Sequence, residues 1–104
     1  TYSLWRFKNE AYRDVHRCIE FAAEAGFDGV EILLYQLSQT DLLSNAALQS
    51  LKRHALMVGL PLYGMSTHQG FVTPDAQVRR QNIELTQGQL RLCHELRIPA
   101  IRVN

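Results

Sequence analysis

The chain has 104 residues, 46% hydrophobic, 20% charged and 9% aromatic, which is the composition of one globular domain and too little length for two. Eleven Lys+Arg stand against ten Asp+Glu, a formal net charge of +1. A disordered chain is excluded, as are an apolar run of the roughly 18 residues a bilayer needs and the basic footprint of a nucleic-acid or membrane-surface binder. The two cysteines, Cys18 and Cys93, make no C-x-x-C pair and no metal cluster. They read as free, partly buried thiols of a reducing compartment, so a cytoplasmic location is expected. The chain opens Thr1-Tyr2-Ser3 without a Met or a secretory leader, which points to trimming at its start.

In chain order, the aromatic-rich residues 2–7 predict a strand. Asn9 is a candidate N-cap for a helix over 10–25, whose buried stripe is Val15, Cys18, Ile19, Ala22 and Ala23. Gly26 stops it in the left-handed conformation, with Phe27 folding back on the last turn. Residues 28–35 predict a second strand, with Val30, Ile32 and Leu34 on one face and Gly29, Glu31 and Leu33 on the other. A polar loop follows from Ser38, then a helix over 45–58 with Leu48, Leu51, Ala55 and Val58 as its stripe and Gly59 as its stop. Residues 60–67 predict a third strand and 68–72 a loop. Thr73-Pro74-Asp75 starts a helix that runs to about Leu96, and residues 99–104 predict a fourth strand.

The helix-to-strand junctions at Gly26, Gly59 and Arg97 resemble one another and lie 33 and 38 residues apart. A strand-plus-helix unit repeated at that interval predicts a parallel sheet with crossover helices. A (β/α)8 barrel takes about 250 residues, so the expected architecture is an α/β half-barrel fragment of four strands and three helices, residues 1–104 forming one partial domain. A complete small α/β domain is the alternative.

Ligands of parallel α/β folds meet the carboxyl ends of the strands. That directs attention to Trp5, Glu31, His68, Gln69, Arg102 and Asn104. Glu31 stands among apolar strand residues, where an unpaired carboxylate is costly. It is either a substrate contact or acid–base group, or half of an ion pair with Arg6 or Arg102. His68, followed by Gln69-Gly70, has the make-up of a site loop, against a plain turn cap. Arg102 and Asn104 share a strand face and can hydrogen-bond a hydroxylated or phosphorylated ligand. Trp5 can stack on a sugar or belong to the core. His16, His54 and His94 are expected to face solvent. No metal set is complete, and His68 is the one candidate ligand. The chain lacks G-x-G-x-x-G, a Walker lysine loop, G-x-S-x-G and a Cys/His pair, which disfavours dehydrogenase, kinase and serine-hydrolase chemistry.

The segments Tyr2-Ser3-Leu4-Trp5-Arg6-Phe7, Gly26-Phe27-Asp28-Gly29-Val30-Glu31-Ile32, Ser66-Thr67-His68-Gln69-Gly70-Phe71 and Ile98-Pro99-Ala100-Ile101-Arg102-Val103-Asn104 resemble the xylose isomerase-like TIM-barrel superfamily, and within it sugar phosphate isomerase/epimerase proteins. The resemblance implies the N-terminal half of a barrel, in the order strand–helix–strand–helix–strand–helix–strand. It implies an enzyme of carbohydrate metabolism that moves a proton next to a carbonyl on a small sugar or sugar phosphate. It also implies a divalent metal (Mn, Mg, Co or Zn) held by strands 5 to 8, beyond this chain. The fragment itself is then expected to bind no metal and to be inactive alone. Glu31, His68, Gln69, Asn104, Trp5 and Arg102 would be its substrate contacts, the catalytic residues lying past Asn104. The expected partner is a small sugar, with neither nucleic acid nor membrane, and self-association is compatible with the sequence. Two rivals stand beside this reading. One is a zinc-dependent abasic-site endonuclease of the same superfamily, and the other is a non-catalytic α/β or half-barrel binding module.

Overall fold

The computed structural model describes residues 1–39, 43–68 and 70–103. In chain order these form α1 (Tyr2–Trp5), a 3-10 turn (Glu10–Tyr12), α2 (Val15–Glu24), β1 (Val30–Leu33) and α3 (Leu34–Gln39). Then come α4 (Asn45–Met57), β2 (Leu62–Ser66), α5 (Ala76–Leu96) and β3 (Ile101–Arg102). The strands make one parallel sheet in the order β1-β2-β3. Helical crossovers join them, as parallel pairing requires. This alternation of helices with three parallel strands is that of an α/β fold, with three strands among the described residues where four were expected.

Side-chain caps set where the long helices begin. Asp14, Ser44 and Asp75 each accept from backbone N–H groups of the first turn, at His16 (2.9 Å), Ala47 (3.2 Å) and Gln77 (2.8 Å) respectively. Asn9 instead caps the 3-10 turn, accepting from Ala11 N at 3.2 Å. The expected helix over 10–25 is therefore two elements, because Asp14 is the better-placed cap.

The helix ends repeat one solution. Gly26, Gly59 and Arg97 have φ of 82°, 71° and 56°. The next residue donates back five positions each time: Phe27 to Ala22 O (3.0 Å), Leu60 to Ala55 O (3.0 Å) and Ile98 to Cys93 O (2.8 Å). This is the Schellman arrangement, and it satisfies carbonyls the helix leaves open. Leu60 and Ile98 then bury, whereas Phe27, expected to fold back on the last turn, stays 62% exposed. Arg97 is the one non-glycine at these three positions. Arg97→Gly should raise the unfolding free energy by about 0.5–1 kcal/mol in a urea titration, since glycine adopts this conformation without a Cβ clash.

The helices bury their stripes against one face of the sheet. Val15, Ile19 and Ala22 of α2, Leu48, Leu51 and Ala55 of α4, and Cys93 and Leu96 of α5 meet Val30, Ile32, Leu62 and Met65 of the strands. Cys18 lies alongside, donating from Sγ to Tyr12 O at 3.2 Å, and Cys93 Sγ sits 3.7 Å from Met65 Sδ. Burial pushes both thiols above their ordinary value of 9.0. The folded state therefore holds these protons more tightly than the unfolded state. Stability from this source is full below pH 9 and declines as pH climbs from there toward the raised folded values. Denaturant midpoints between pH 7 and 10 check this, and in the native state both thiols should react slowly with a disulfide reagent.

Two further segments differ from their expected form. Residues 2–7 were expected as the first strand, and the structure makes them α1 and its exit. Thr1 caps the outer edge of β1: its nitrogen donates to Glu31 O, and its hydroxyl accepts from Leu33 N at 3.0 Å. The Thr1 carbonyl is then free to accept from Leu4 N and Trp5 N, both at 3.2 Å, which starts a helical turn. The turn gathers Tyr2, Trp5 and Phe7 around Tyr35, whereas a strand would send alternate rings to opposite faces. The second strand, expected to reach residue 35, stops at Leu33 and gives way to α3. There Gln36 and Leu37 turn into the core, with Gln36 Nε2 donating to Tyr12 O (2.8 Å) and Arg13 O (2.9 Å).

Candidate functional site

Strand register decides which side chains meet. Val30 pairs with Leu62, but Glu31 pairs with Gly64, so Tyr63 is the extra residue of a β-bulge. Ile32 then faces Met65, and Leu33 faces Ser66. On the next strand Ile101 aligns with Met65, and Arg102 with Ser66. Val30, Ile32, Leu62 and Met65 consequently look toward the helices, and Glu31, Leu33, Gly64, Ser66 and Arg102 occupy the opposite face. The expected alternation holds for Val30 and Ile32 against Glu31 and Leu33, whereas Leu34, expected on the first of these faces, belongs to α3.

A groove of about 690 Å³ runs along this second face. Glu31, Tyr63, Ser66, His68 and Arg102 line one side of it, and α1 with Phe7 forms the other. The Glu31 side chain lies across Gly64: a Cβ there would stand 3.4 Å from Glu31 Cγ and 3.5 Å from Oε2. Among the described residues its carboxylate takes part in no hydrogen bond or side-chain ion pair; the charge that acts on it is the Thr1 amino group, which donates to the Glu31 carbonyl. The alternative of an ion pair with Arg6 or Arg102 is not realised; Arg6 Nε donates to Ser3 O at 3.1 Å instead. Gly29 lets the Tyr63 ring come close, since a Cβ at 29 would be 2.8 Å from Tyr63 Cδ1 and 3.2 Å from Pro61 O. Ser66 is buried, its hydroxyl 3.5 Å from Ile32 O, and Thr67 Oγ1 donates to Arg102 O at 2.8 Å. That last bond ties the carboxyl end of β2 to β3.

Three of the six expected contacts, Glu31, His68 and Arg102, thus share one groove. Trp5 does not join them. It is buried at 5% exposure and stacked on Tyr35, with ring centroids 6.2 Å apart and planes 26° apart. It lines a neighbouring depression with Phe7, Arg13, Tyr35 and Gln39, which His68 also borders. Gln69 and Asn104 lie outside the described residues. Tyr63 went unremarked in the sequence, although a Tyr-Gly pair inside a strand is a bulge signal.

The helix histidines also differ from expectation. His16 of α2 and His54 of α4 face each other, with ring centroids 5.0 Å apart, rather than solvent. His16 Nδ1 is 3.2 Å from Asp14, and His54 Nε2 is 3.7 Å from Glu20. His94 is exposed, as expected. Among the described residues no three His, Cys, Asp or Glu side chains converge on a point that could hold a metal ion. These residues alone therefore do not fit the divalent ion that the sequence resemblance implies.

The groove sets a carboxylate, an imidazole, a guanidinium and a hydroxyl along one sheet face. Such a set can grip hydroxyls and an anionic or carbonyl oxygen. Together with helices packed on the other face, it defines a parallel α/β protein with polar groups gathered on the opposite side of its sheet. Comparison with known families gives the class: the xylose isomerase-like TIM barrel family matches residues 19–103, and the chain belongs to it. The match starts within α2, so residues 1–18, including the refolded first segment, precede it. No curated protein matches the chain. Among the described residues no helix is long and apolar enough to cross a membrane.

Proposed function

We propose that this chain supplies the substrate-binding face of a cytoplasmic sugar or sugar phosphate isomerase/epimerase. The observation that carries the proposal is the Glu31 carboxylate, without a hydrogen-bonded side-chain partner among the described residues and laid over Gly64 in the same groove as His68 and Arg102. A carboxylate on a strand with no hydrogen-bonded side-chain partner keeps its oxygens available to a ligand. Its oxygens would accept hydrogen bonds from sugar hydroxyls and take or return a proton beside a carbonyl. Arg102 would pair with a phosphate or polarise the carbonyl oxygen, and His68 would orient a hydroxyl at the mouth. Any divalent metal would draw ligands from outside the described residues.

The test is a titration of the ¹⁵N-labelled chain with D-xylulose 5-phosphate, D-xylulose and a duplex carrying an abasic site. Both sugars should move the amides of Glu31, Ser66, His68 and Arg102, and Glu31→Gln should remove the response. Salt-dependent binding of the abasic duplex, with no sugar response, would replace this reading with the endonuclease one. A chain that ignores all three ligands and pairs with itself would be a binding module.

A further inference from the structure

Residues 1–7 make one wall of the groove, yet they are held to the sheet by little. Their hydrogen bonds to β1 both come from Thr1, through its nitrogen to Glu31 O and its hydroxyl to Leu33 N. Trp5, buried at 5% exposure, and Phe7 pack on Tyr35 at centroid distances of 6.2 and 5.7 Å. Against these stand three unfavourable features in consecutive residues. Arg6 and Phe7 both sit in the left-handed region, with φ of 50° and 60°, and neither is glycine. The indole Nε1 of Trp5 is buried and has no acceptor among the described residues. A segment with strained backbone, an orphaned donor and two anchoring bonds belongs to the low-stability end of a fold.

We infer that residues 1–7 form a strap that opens independently of the core and controls access to Glu31. Closed, Tyr2, Leu4 and Phe7 wall the groove beside Glu31. On opening, Arg6 and Phe7 relax to negative φ and the indole N–H reaches water, while the ring contacts with Tyr35 are lost. Lys8 N and Asn9 N, which bond to Trp5 O at 3.1 and 2.8 Å, mark the hinge at the carboxyl side of the strap, because Asn9 is fixed as the cap of the 3-10 turn that follows. The inference stands on this geometry whatever the ligand of the groove.

The chain contains one tryptophan, so Trp5 emission reports the strap directly. Hydrogen exchange supplies a second readout. The Leu33 amide is held by the strap through Thr1 Oγ1, and the Met65 amide by Ala100 O in the sheet. Leu33 should exchange at least about ten times faster than Met65, through local opening. Arg6→Gly removes one strained residue and should slow Leu33 exchange several-fold, with Met65 unchanged. Tyr35→Ala removes the anchor; it should speed Leu33 exchange, shift Trp5 emission to the red and raise the carbodiimide reactivity of Glu31, again sparing Met65. Equal exchange of Leu33 and Met65 in the unmodified chain would overturn the inference. So would variants that move both amides together or move neither, since the segment would then open only with global unfolding.

Discussion

Gln36→Leu should lower the unfolding free energy by about 3 kcal/mol, at similar side-chain volume, in a urea titration followed by far-UV circular dichroism. Gln36 has no solvent exposure, and its amide nitrogen donates to Tyr12 O and Arg13 O across a stretch where the chain passes from the 3-10 turn into α2. Leucine would fill the space and leave the Arg13 carbonyl without that donor, and Tyr12 O, among the described residues, with the thiol of Cys18. Each buried acceptor deprived of its partner costs about 1–3 kcal/mol, whereas the apolar gain is small at a site already dry. Gln39, three residues on and exposed, is the control: Gln39→Leu should stay within about 0.5 kcal/mol of the parent. Equal effects at both positions would show that α3 is not anchored through Gln36.

The second large effect separates two neighbours on one strand. Ile32→Ala should cost about 3–4 kcal/mol, because Ile32 is fully buried and its removal leaves a cavity where α2, α4 and Met65 meet. Glu31→Gln should leave stability within about 0.5 kcal/mol, since no partner among the described residues loses a bond. It should nevertheless weaken sugar binding by at least about tenfold, the loss of one charge-assisted hydrogen bond being about 1.5–3 kcal/mol. Thermal denaturation and ligand titration of both variants check the pair. A Glu31→Gln variant that unfolds easily but binds normally would assign the carboxylate to structure.

Much of this frame is legible in the residues. The stripe Leu48, Leu51, Ala55 and the stop at Gly59 define α4 to within a residue, because helix period and cap chemistry are local. The faces of β1 follow from simple alternation. The segments that were misread are those whose conformation depends on something distant. Residues 2–7 have strand composition, but their rings find partners in Tyr35 and in each other. Leu34–Gln39 looks like a strand end running into a polar loop until Gln36 meets two carbonyls more than twenty positions earlier. The bulge at Tyr63 exists only in relation to β1. For the site, the candidate groups could be named from strand ends, and Glu31, His68 and Arg102 do share a groove. Which of them share it could not be read off, because pairing register is a property of two strands and not of one.

The repeated helix ends at Gly26, Gly59 and Arg97 have an architectural consequence. Each passes the chain from helix to strand through the same left-handed residue and the same backward bond. Direction into the next strand is therefore dictated by main chain alone at this end of the sheet. The opposite end has no such template: β1 runs straight into α3, while after β2 the described residues 67, 68 and 70–74 form no helix or strand before the cap at Asp75. One end of the molecule is thus standardised and the other individual. An engineer could exchange or lengthen the segment after β2 while every helix still returned to its strand along the original path.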